Sequence, residues 1–234
     1  MFEVLAVTER WVLIDKHPDV SFHREDADIG LLDALRAATG LPALYPVHRL
    51  DAITSGLLLF ARDPATAAAL GRAWQAGEVG KLYLAIAPGK PSKKQGWVKG
   101  DMEKSRRGGW KLLHSRANPA VTWFDSVSLA PGLRLYLLRP YTGRTHQLRV
   151  ALKSLGAPIL GDALYGPAQH DSDRGYLHAA LLSFALDGQR WTYTCLPSRG
   201  QWFTVPDGQA QMAALLAAGR ARLEAEMPTG STLD

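Results

Sequence analysis

Hydrophobic and polar positions change over along this chain in short blocks, most of them of strand length. Residues Phe2 to Lys16 read as two short strands around Glu9-Arg10, the second formed by Trp11-Val12-Leu13-Ile14. The unbroken apolar run Gly56-Leu57-Leu58-Leu59-Phe60-Ala61 has the length of a buried strand. Lys81 to Ile86 alternates instead, placing Leu82, Leu84 and Ile86 on one face and Lys81, Tyr83 and Ala85 on the other. Trp123 to Ser128 and Leu133 to Leu138 flank the turn signal Pro131-Gly132, which predicts an antiparallel pair. Further strand pieces are expected at Ser183 to Leu186 and Trp191 to Tyr193.

Helical spacing occurs at four places. Leu31, Leu32 and Leu35 form a stripe after an acidic start at Asp26-Asp28, and Gly40 with Pro42 ends it. Asp63-Pro64 is an N-cap followed by proline at the first helical position, opening an alanine-rich helix that ends near Gly77. Leu148, Leu152 and Leu155 recur at helical steps after Thr145, the expected N-cap, with Gly156 and Pro158 as the stop. The last helix, Gln209 to Ala225, precedes a polar tail. Tyr45 to Ser55 has no consistent period and reads as a loop, and Pro88 to Gly109 as a long hairpin or mobile loop. Strands outnumber helices and are mostly sequential, so the expected class is α+β: a mixed, largely antiparallel sheet with flanking helices.

The chain of 234 residues is 47% hydrophobic and 21% charged, the balance of a folded globular protein, which excludes disordered and fibrous roles. With no internal repeat and no rich linker, residues 1–206 are assigned to one globular domain and 207–234 to the C-terminal helix and tail. Cys195 is the only cysteine and no Cys/His cluster has zinc-ligand spacing, so neither a disulfide scaffold nor a metal site is expected. No apolar run approaches the ~18 residues that span a bilayer, and no basic stretch precedes an apolar one at the N-terminus. A cytoplasmic, monomeric protein without membrane contact is therefore expected. Charge adds a partner: Lys81 to Arg116 holds ten basic and two acidic residues, which leaves the remainder of a +5 chain at −3. Such a block, with Lys93, Lys94, Arg106 and Arg107 in its loop portion, points to a polyanion; the plainer reading is a solvated loop.

No P-loop, dinucleotide fingerprint, zinc-protease helix or nucleophile elbow is present, so no nucleotide cofactor is expected. Two polar constellations remain. His48-Arg49-Leu50-Asp51-Ala52-Ile53-Thr54-Ser55-Gly56 is a charged loop directly before a buried strand, where a carboxylate is rigidly held yet open to a ligand. An aspartate that merely caps a turn fits the same position. Tyr141-Thr142-Gly143-Arg144-Thr145-His146-Gln147-Leu148-Arg149 opens a helix whose first amides attract anions and brings two arginines suited to phosphate or carboxylate; a surface helix with solvated arginines is the alternative.

Together these segments resemble the RluA-type pseudouridine synthases. The resemblance rests on His-Arg-Leu-Asp with the Thr-Ser-Gly turn, Lys81-x-Tyr83, and Thr-Gly-Arg-Thr-His-Gln-Leu-Arg. It continues through Gly156-x-Pro158-Ile159-x-Gly161-Asp162-x-x-Tyr165-Gly166 and Leu177-His178-Ala179 with Leu182 and Phe184, from about Val4 to Pro206. It implies an RNA uridine isomerase that needs neither cofactor nor metal and acts on ribosomal or transfer RNA. By similarity Asp51 is the catalytic aspartate, Arg149 its cationic partner, and Tyr83 the ring that packs on the target base. Arg49 resembles the arginine that fills the space the base leaves, and Leu177 lines the pocket. His48, Lys81, Arg144, His146 and Gln147 are assigned to substrate binding.

Lys16-His17-Pro18-Asp19 departs from the family's usual Lys-Pro-x-Gly. The matching region begins almost at Met1, without the S4-type domain of many relatives, so substrate selection is expected from the catalytic domain and its basic segment. Two other functions are weighed. An RNA-binding or assembly factor that has lost catalysis would not need Asp51, Tyr83 and Arg149 intact, and a carboxylate glycosidase commonly wants a second acid beside Asp51.

Overall fold

A computed structural model describes residues 1–21, 30–166 and 172–227. The acidic start expected at Asp26-Asp28 and the polar tail after residue 227 lie outside them. In chain order the elements are β1 (Phe2–Val7), β2 (Trp11–Lys16), α1 (Leu31–Thr39), β3 (Tyr45–Pro46), β4 (Thr54–Ala61) and α2 (Pro64–Gln75). They continue with β5 (Gly80–Pro88), β6 (Gly96–Gly100), β7 (Met102–Lys104), β8 (Trp110–Leu112), β9 (Ala120–Ala130) and β10 (Leu133–Pro140). Last come α3 (Gln147–Ser154), β11 (Leu177–Leu186), β12 (Gln189–Thr194) and α4 (Pro206–Glu226).

The main sheet runs β1-β2-β4-β11-β5-β10-β9-β6, with β12 beside β11 and β3 beside β4. Only β4 and β11 pair in parallel among the described strands, Thr54 opposite Leu177 and Gly56 opposite Ala179. The fold is therefore α+β with a mixed, mostly antiparallel sheet, the class the periodicity indicates. All eight residues of β4 are buried, which explains its lack of alternation: both of its faces need cover. Leu58 and Phe60 pack with Leu31 and Leu35 of α1, whereas Leu57 and Leu59 pack with Leu70 of α2 and with Trp11 and Phe184. Each such side chain contributes roughly 1.5–3 kcal/mol by leaving water. A third cluster lies under α4, where Met212, Leu215, Leu216 and Leu223 join Leu82, Leu84 and Leu137.

Three segments differ from the sequence reading. Residues 45–46, read as part of a loop, add a short strand to β4, opposite Ala61 and Phe60. Pro88 to Gly109, read as a long hairpin or mobile loop, holds a hairpin only at its end, where β7 pairs with β8, while β6 extends the main sheet along β9. Short strands interrupted by glycine carry too little periodicity to be legible alone. Finally, α3 is capped at His146, in the left-handed region at φ 56, and not at Thr145. No side chain caps the first turn; the Gln147 side-chain oxygen instead accepts the Arg144 N–H of the preceding turn at 3.0 Å.

Gly56 sets how closely the two parallel strands approach. Its φ is +107, and a Cβ there would stand 2.3 Å from the backbone oxygen of Ala179. Neither conformation nor space admits a side chain. Gly56→Ala is expected to lose at least ~2 kcal/mol of stability in urea denaturation; an unchanged midpoint would contradict the close packing of β4 on β11.

Candidate active site

A cleft of about 670 Å³ lies where the loop before β4, the start of β5, the end of β10 and the turn into α3 converge. His48, Arg49, Asp51, Lys81, Tyr83, Arg144, His146, Gln147, Arg149 and Leu177 all line it, although they come from four separate stretches of chain. Lys93, Lys94, Arg106 and Arg107 do not line it.

A line of three charges runs inward from the cleft, from Asp51 through Arg149 to the buried Asp162. Arg149, in the first turn of α3 and 6% exposed, donates from Nε to Asp162 Oδ2 at 2.7 Å and from Nη2 to Asp162 Oδ1 at 2.8 Å. Its remaining nitrogen, Nη1, reaches Asp51 Oδ2 at 3.2 Å. Burial opposes the charge on Arg149, but hydrogen bonds and attraction from Asp162 and then Asp51 outweigh it, so its pKa is raised. Asp162 is itself fixed, because Oδ1 also accepts the N–H groups of Leu164 and Tyr165 at 3.0 and 3.2 Å. The Asp51 side chain thus ends on a guanidinium and stays partly open to the cleft, with 29% of its surface exposed. Its backbone is pinned as well: the Asp51 carbonyl accepts the Thr54 N–H at 3.0 Å. The neighbouring Ala52 carbonyl accepts from Lys16 Nζ at 3.1 Å.

Tyr83 projects from β5 on the face opposite Leu82 and Leu84, between Leu138 of β10 and Ala179 of β11. Burial first, and the charge of Asp51 second, push its phenol pKa up, so it is a neutral ring. Lys81 shares that face, and burial lowers its pKa. His146 Nδ1 lies 2.8 Å from the Tyr165 hydroxyl, and burial lowers the His146 pKa against the pull of Asp51. Arg144 stands clear of the ion-pair line, with its guanidinium on the Asn118 side chain. Arg49 is exposed at the rim and Leu177 is buried at the start of β11.

Two lining residues are occupied with architecture. Gln147 accepts from the Thr142 hydroxyl and the Arg144 N–H and donates to Val121 O and Thr122 Oγ1, which uses its full hydrogen-bonding capacity. His48 accepts the Leu59 N–H at Nε2 and stacks on Trp74 at 4.7 Å between ring centroids. Burial pushes its pKa down to about 3, so it is neutral.

Sequence reasoning assigned no role to Asp162, Tyr165 or Lys16. The first two stand in the string Gly161-Asp162-x-x-Tyr165-Gly166, whose turn chemistry was the available signal. Lys16 is fully buried at the end of β2, donates to the carbonyls of His17, Val20 and Ala52, and has its pKa pushed down to about 7 by burial. Asp15, His178 and Cys195 bring possible metal ligands within 4.8 Å of one another. They do not suit a metal: His178 is bonded through both nitrogens, to Ser55 Oγ and the Cys195 carbonyl, and burial raises the Cys195 thiol to about 12.

The basic segment divides in space. The β7–β8 hairpin that carries Arg106 and Arg107 is tied to the cleft wall: the Trp110 N–H donates to the Tyr165 hydroxyl at 2.8 Å, and that hydroxyl is 2.8 Å from Nδ1 of the lining residue His146. Lys93 and Lys94 lie farther off. The Lys94 carbonyl is held by Ser126, whose partner Tyr136 is four residues before Pro140, about 13 Å along the strand.

Residues 10–154 match the family described as RNA pseudouridylate synthase. A Haemophilus influenzae protein named "Uncharacterized RNA pseudouridine synthase" is 46% identical over 204 residues, 87% of this chain and 91% of that protein. The dual-specificity RNA pseudouridine synthase RluA of Vibrio cholerae is 36% identical over 157 residues, 65% of this chain and 64% of its own length. Among solved structures, human RNA pseudouridylate synthase domain containing 1 matches with a TM-score of 0.77 at 26% identity, over 94% of this chain and 95% of that one.

Asp162→Ala leaves the buried Arg149 with Asp51 as its one carboxylate. The expected loss is about 3–5 kcal/mol of folding free energy in urea denaturation, with less lost in Asp162→Asn, which keeps an acceptor oxygen. Wild-type stability of Asp162→Ala would show that the guanidinium does not depend on this anchor.

Proposed function

The chain belongs to the RNA pseudouridylate synthase family and so is an isomerase that converts uridine in RNA to pseudouridine; from that premise we propose that Asp51 is its catalytic carboxylate and Arg149 the group that aims it. The reaction breaks the bond between N1 of the base and C1′ of the ribose, joins C5 to C1′, removes a proton from C5 and places one on N1. Nothing enters or leaves in net terms, so the protein must supply a reactive carboxylate, a grip on the freed base and exclusion of water. The observation that carries the reading is the 3.2 Å contact between Arg149 Nη1 and Asp51 Oδ2 on the floor of the cleft. One Asp51 oxygen is tethered while the carboxylate stays partly exposed, which orients a reacting group without covering it.

The other residues divide by chemistry. Tyr83 offers a neutral ring for the target base, a contact worth ~1–3 kcal/mol. A uridine inside folded RNA must be turned out of its stack to reach this depth, and Arg49 at the exposed rim is placed to occupy the gap it leaves. Lys81, Arg144 and His146 supply donors along the cleft wall, and Leu177 an apolar side. Gln147 and His48 serve by holding the walls. Arg106 and Arg107 contact phosphates near the site, and Lys93 and Lys94 extend that contact along the RNA. The substrate is structured RNA, ribosomal or transfer. The cleft is complete within one chain, which suits a monomer, and no helix among the described residues is long and apolar enough to cross a membrane.

Asp51→Asn is expected to fold and bind RNA near normally while tritium release from 5-[³H]-uridine RNA falls below about 1% of wild type; retention of more than a few per cent would remove Asp51 from the chemistry. Arg149→Ala should lose most activity. An active Arg149→Ala beside an inactive Arg144→Ala would mean that the other arginine aims the carboxylate. Salt dependence tests the phosphate contacts. Replacing Arg106 and Arg107 by Gln should make the log–log slope of affinity against salt shallower by roughly 1.4–1.8, and Lys93→Gln with Lys94→Gln should do the same. A slope unchanged in either pair would take that pair off the RNA surface.

A further inference from the structure

Tyr165 touches three parts of the molecule that the reaction brings together. Its hydroxyl accepts the Trp110 N–H at 2.8 Å, and Trp110 opens β8, opposite Lys104 of β7, at the base of the hairpin tip. Tyr165 is hydrogen-bonded through the same hydroxyl to Nδ1 of the cleft histidine His146 at 2.8 Å. Its ring lies under the Arg149 guanidinium, 4.9 Å from Cζ to centroid, and its backbone N–H helps to hold Asp162. Tyr165 is itself 5% exposed, so these contacts leave it little freedom.

The tip is built to meet something outside the chain. Arg106 and Arg107 are both exposed, and neither guanidinium has a carboxylate partner among the described residues. Arg107 also sits at φ 58, in the left-handed region that a residue with a side chain occupies at some cost. A phosphate bound there pulls on a two-stranded hairpin of three residues a side, whose link to the cleft includes the Trp110–Tyr165 hydrogen bond.

We infer that Tyr165 is a positioning residue that couples the β7–β8 hairpin to Arg149, so that RNA phosphate held at Arg106 and Arg107 sets the Arg149–Asp51 pair for reaction. This rests on the reading of that pair as the reacting one and of the tip as a phosphate contact. It makes the hairpin more than an affinity element: RNA seated in the cleft without engaging the tip would react more slowly.

The test is single-turnover tritium release at saturating RNA, with RNA Kd and melting temperature measured on the same samples. Four proteins are compared: wild type, Tyr165→Phe, Arg106→Gln with Arg107→Gln, and the triple variant. Tyr165→Phe keeps the ring and loses the hydroxyl; its rate should fall about tenfold with Kd and melting temperature close to wild type. The arginine pair should weaken binding in both backgrounds but slow the saturated reaction only where Tyr165 is intact. Three results would overturn the coupling: a wild-type rate in Tyr165→Phe, an equal rate loss from the arginine pair in both backgrounds, or a lower melting temperature with an unchanged rate per folded molecule. Asp51→Asn, run in parallel, separates the two readings. If it is inactive while Tyr165→Phe reacts normally, the coupling alone falls; if it is active, the catalytic reading and the coupling fall together.

Discussion

A guanidinium taken out of water governs this structure. Arg149 is buried in the first turn of α3, and a lone cation there would carry a desolvation penalty of several kcal/mol. Two of its nitrogens are satisfied by the buried Asp162 and the third reaches Asp51, so the loop before β4, the helix and the turn after it are held by one group. The arrangement is directional. Asp162 takes the bidentate contact and is saturated by backbone amides besides, which leaves the weaker, single contact to the carboxylate that faces the cleft.

The sheet makes that geometry rigid. Asp51 lies three residues before β4, a strand buried on both faces, and β4 pairs in parallel with β11 only because Gly56 lets the two backbones close up. Lys16, at the end of the neighbouring strand β2, reaches across to the Ala52 carbonyl. An aspartate loop anchored by a strand, a lysine and an arginine has few ways to move, a restriction that suits the reacting role proposed for Asp51. The tyrosine ring comes from β5, two strands away, so the distance from ring to carboxylate is set by sheet spacing.

Charge is distributed by range. Near the Arg149–Asp51 pair, partners are fixed and few, and the neutral histidines His48 and His146 add no long-range field of their own. Farther out, the hairpin and the segment leading to β6 present exposed cations, which suits the proposed phosphate contacts, an attraction that acts at a distance and weakens as salt rises. A chain of modest net charge thus keeps its exposed cations apart from the fixed charges of the cleft.

The sequence by itself determined whatever depends on neighbours in the chain. The period-two pattern of Lys81 to Ile86 put Tyr83 on the non-leucine face, the apolar run after Gly56 marked a strand buried on both sides, and the Asp63-Pro64 cap opened α2. Order and spacing of short motifs were enough for the family and for Asp51 as its candidate aspartate. What only the tertiary structure decided is who meets whom. Arg149 and Asp51 are 98 positions apart and Arg10 bonds Thr66 across 56, separations about which local periodicity says nothing. The Asp162 clamp, the Gln147 side chain spent on its own loop, and the split of one basic segment between hairpin and sheet edge depend on pairing between distant strands. Hydrophobic periodicity states which face of an element is buried; which polar groups share that burial is settled when the sheet closes, because only then does an unpaired donor or charge become costly.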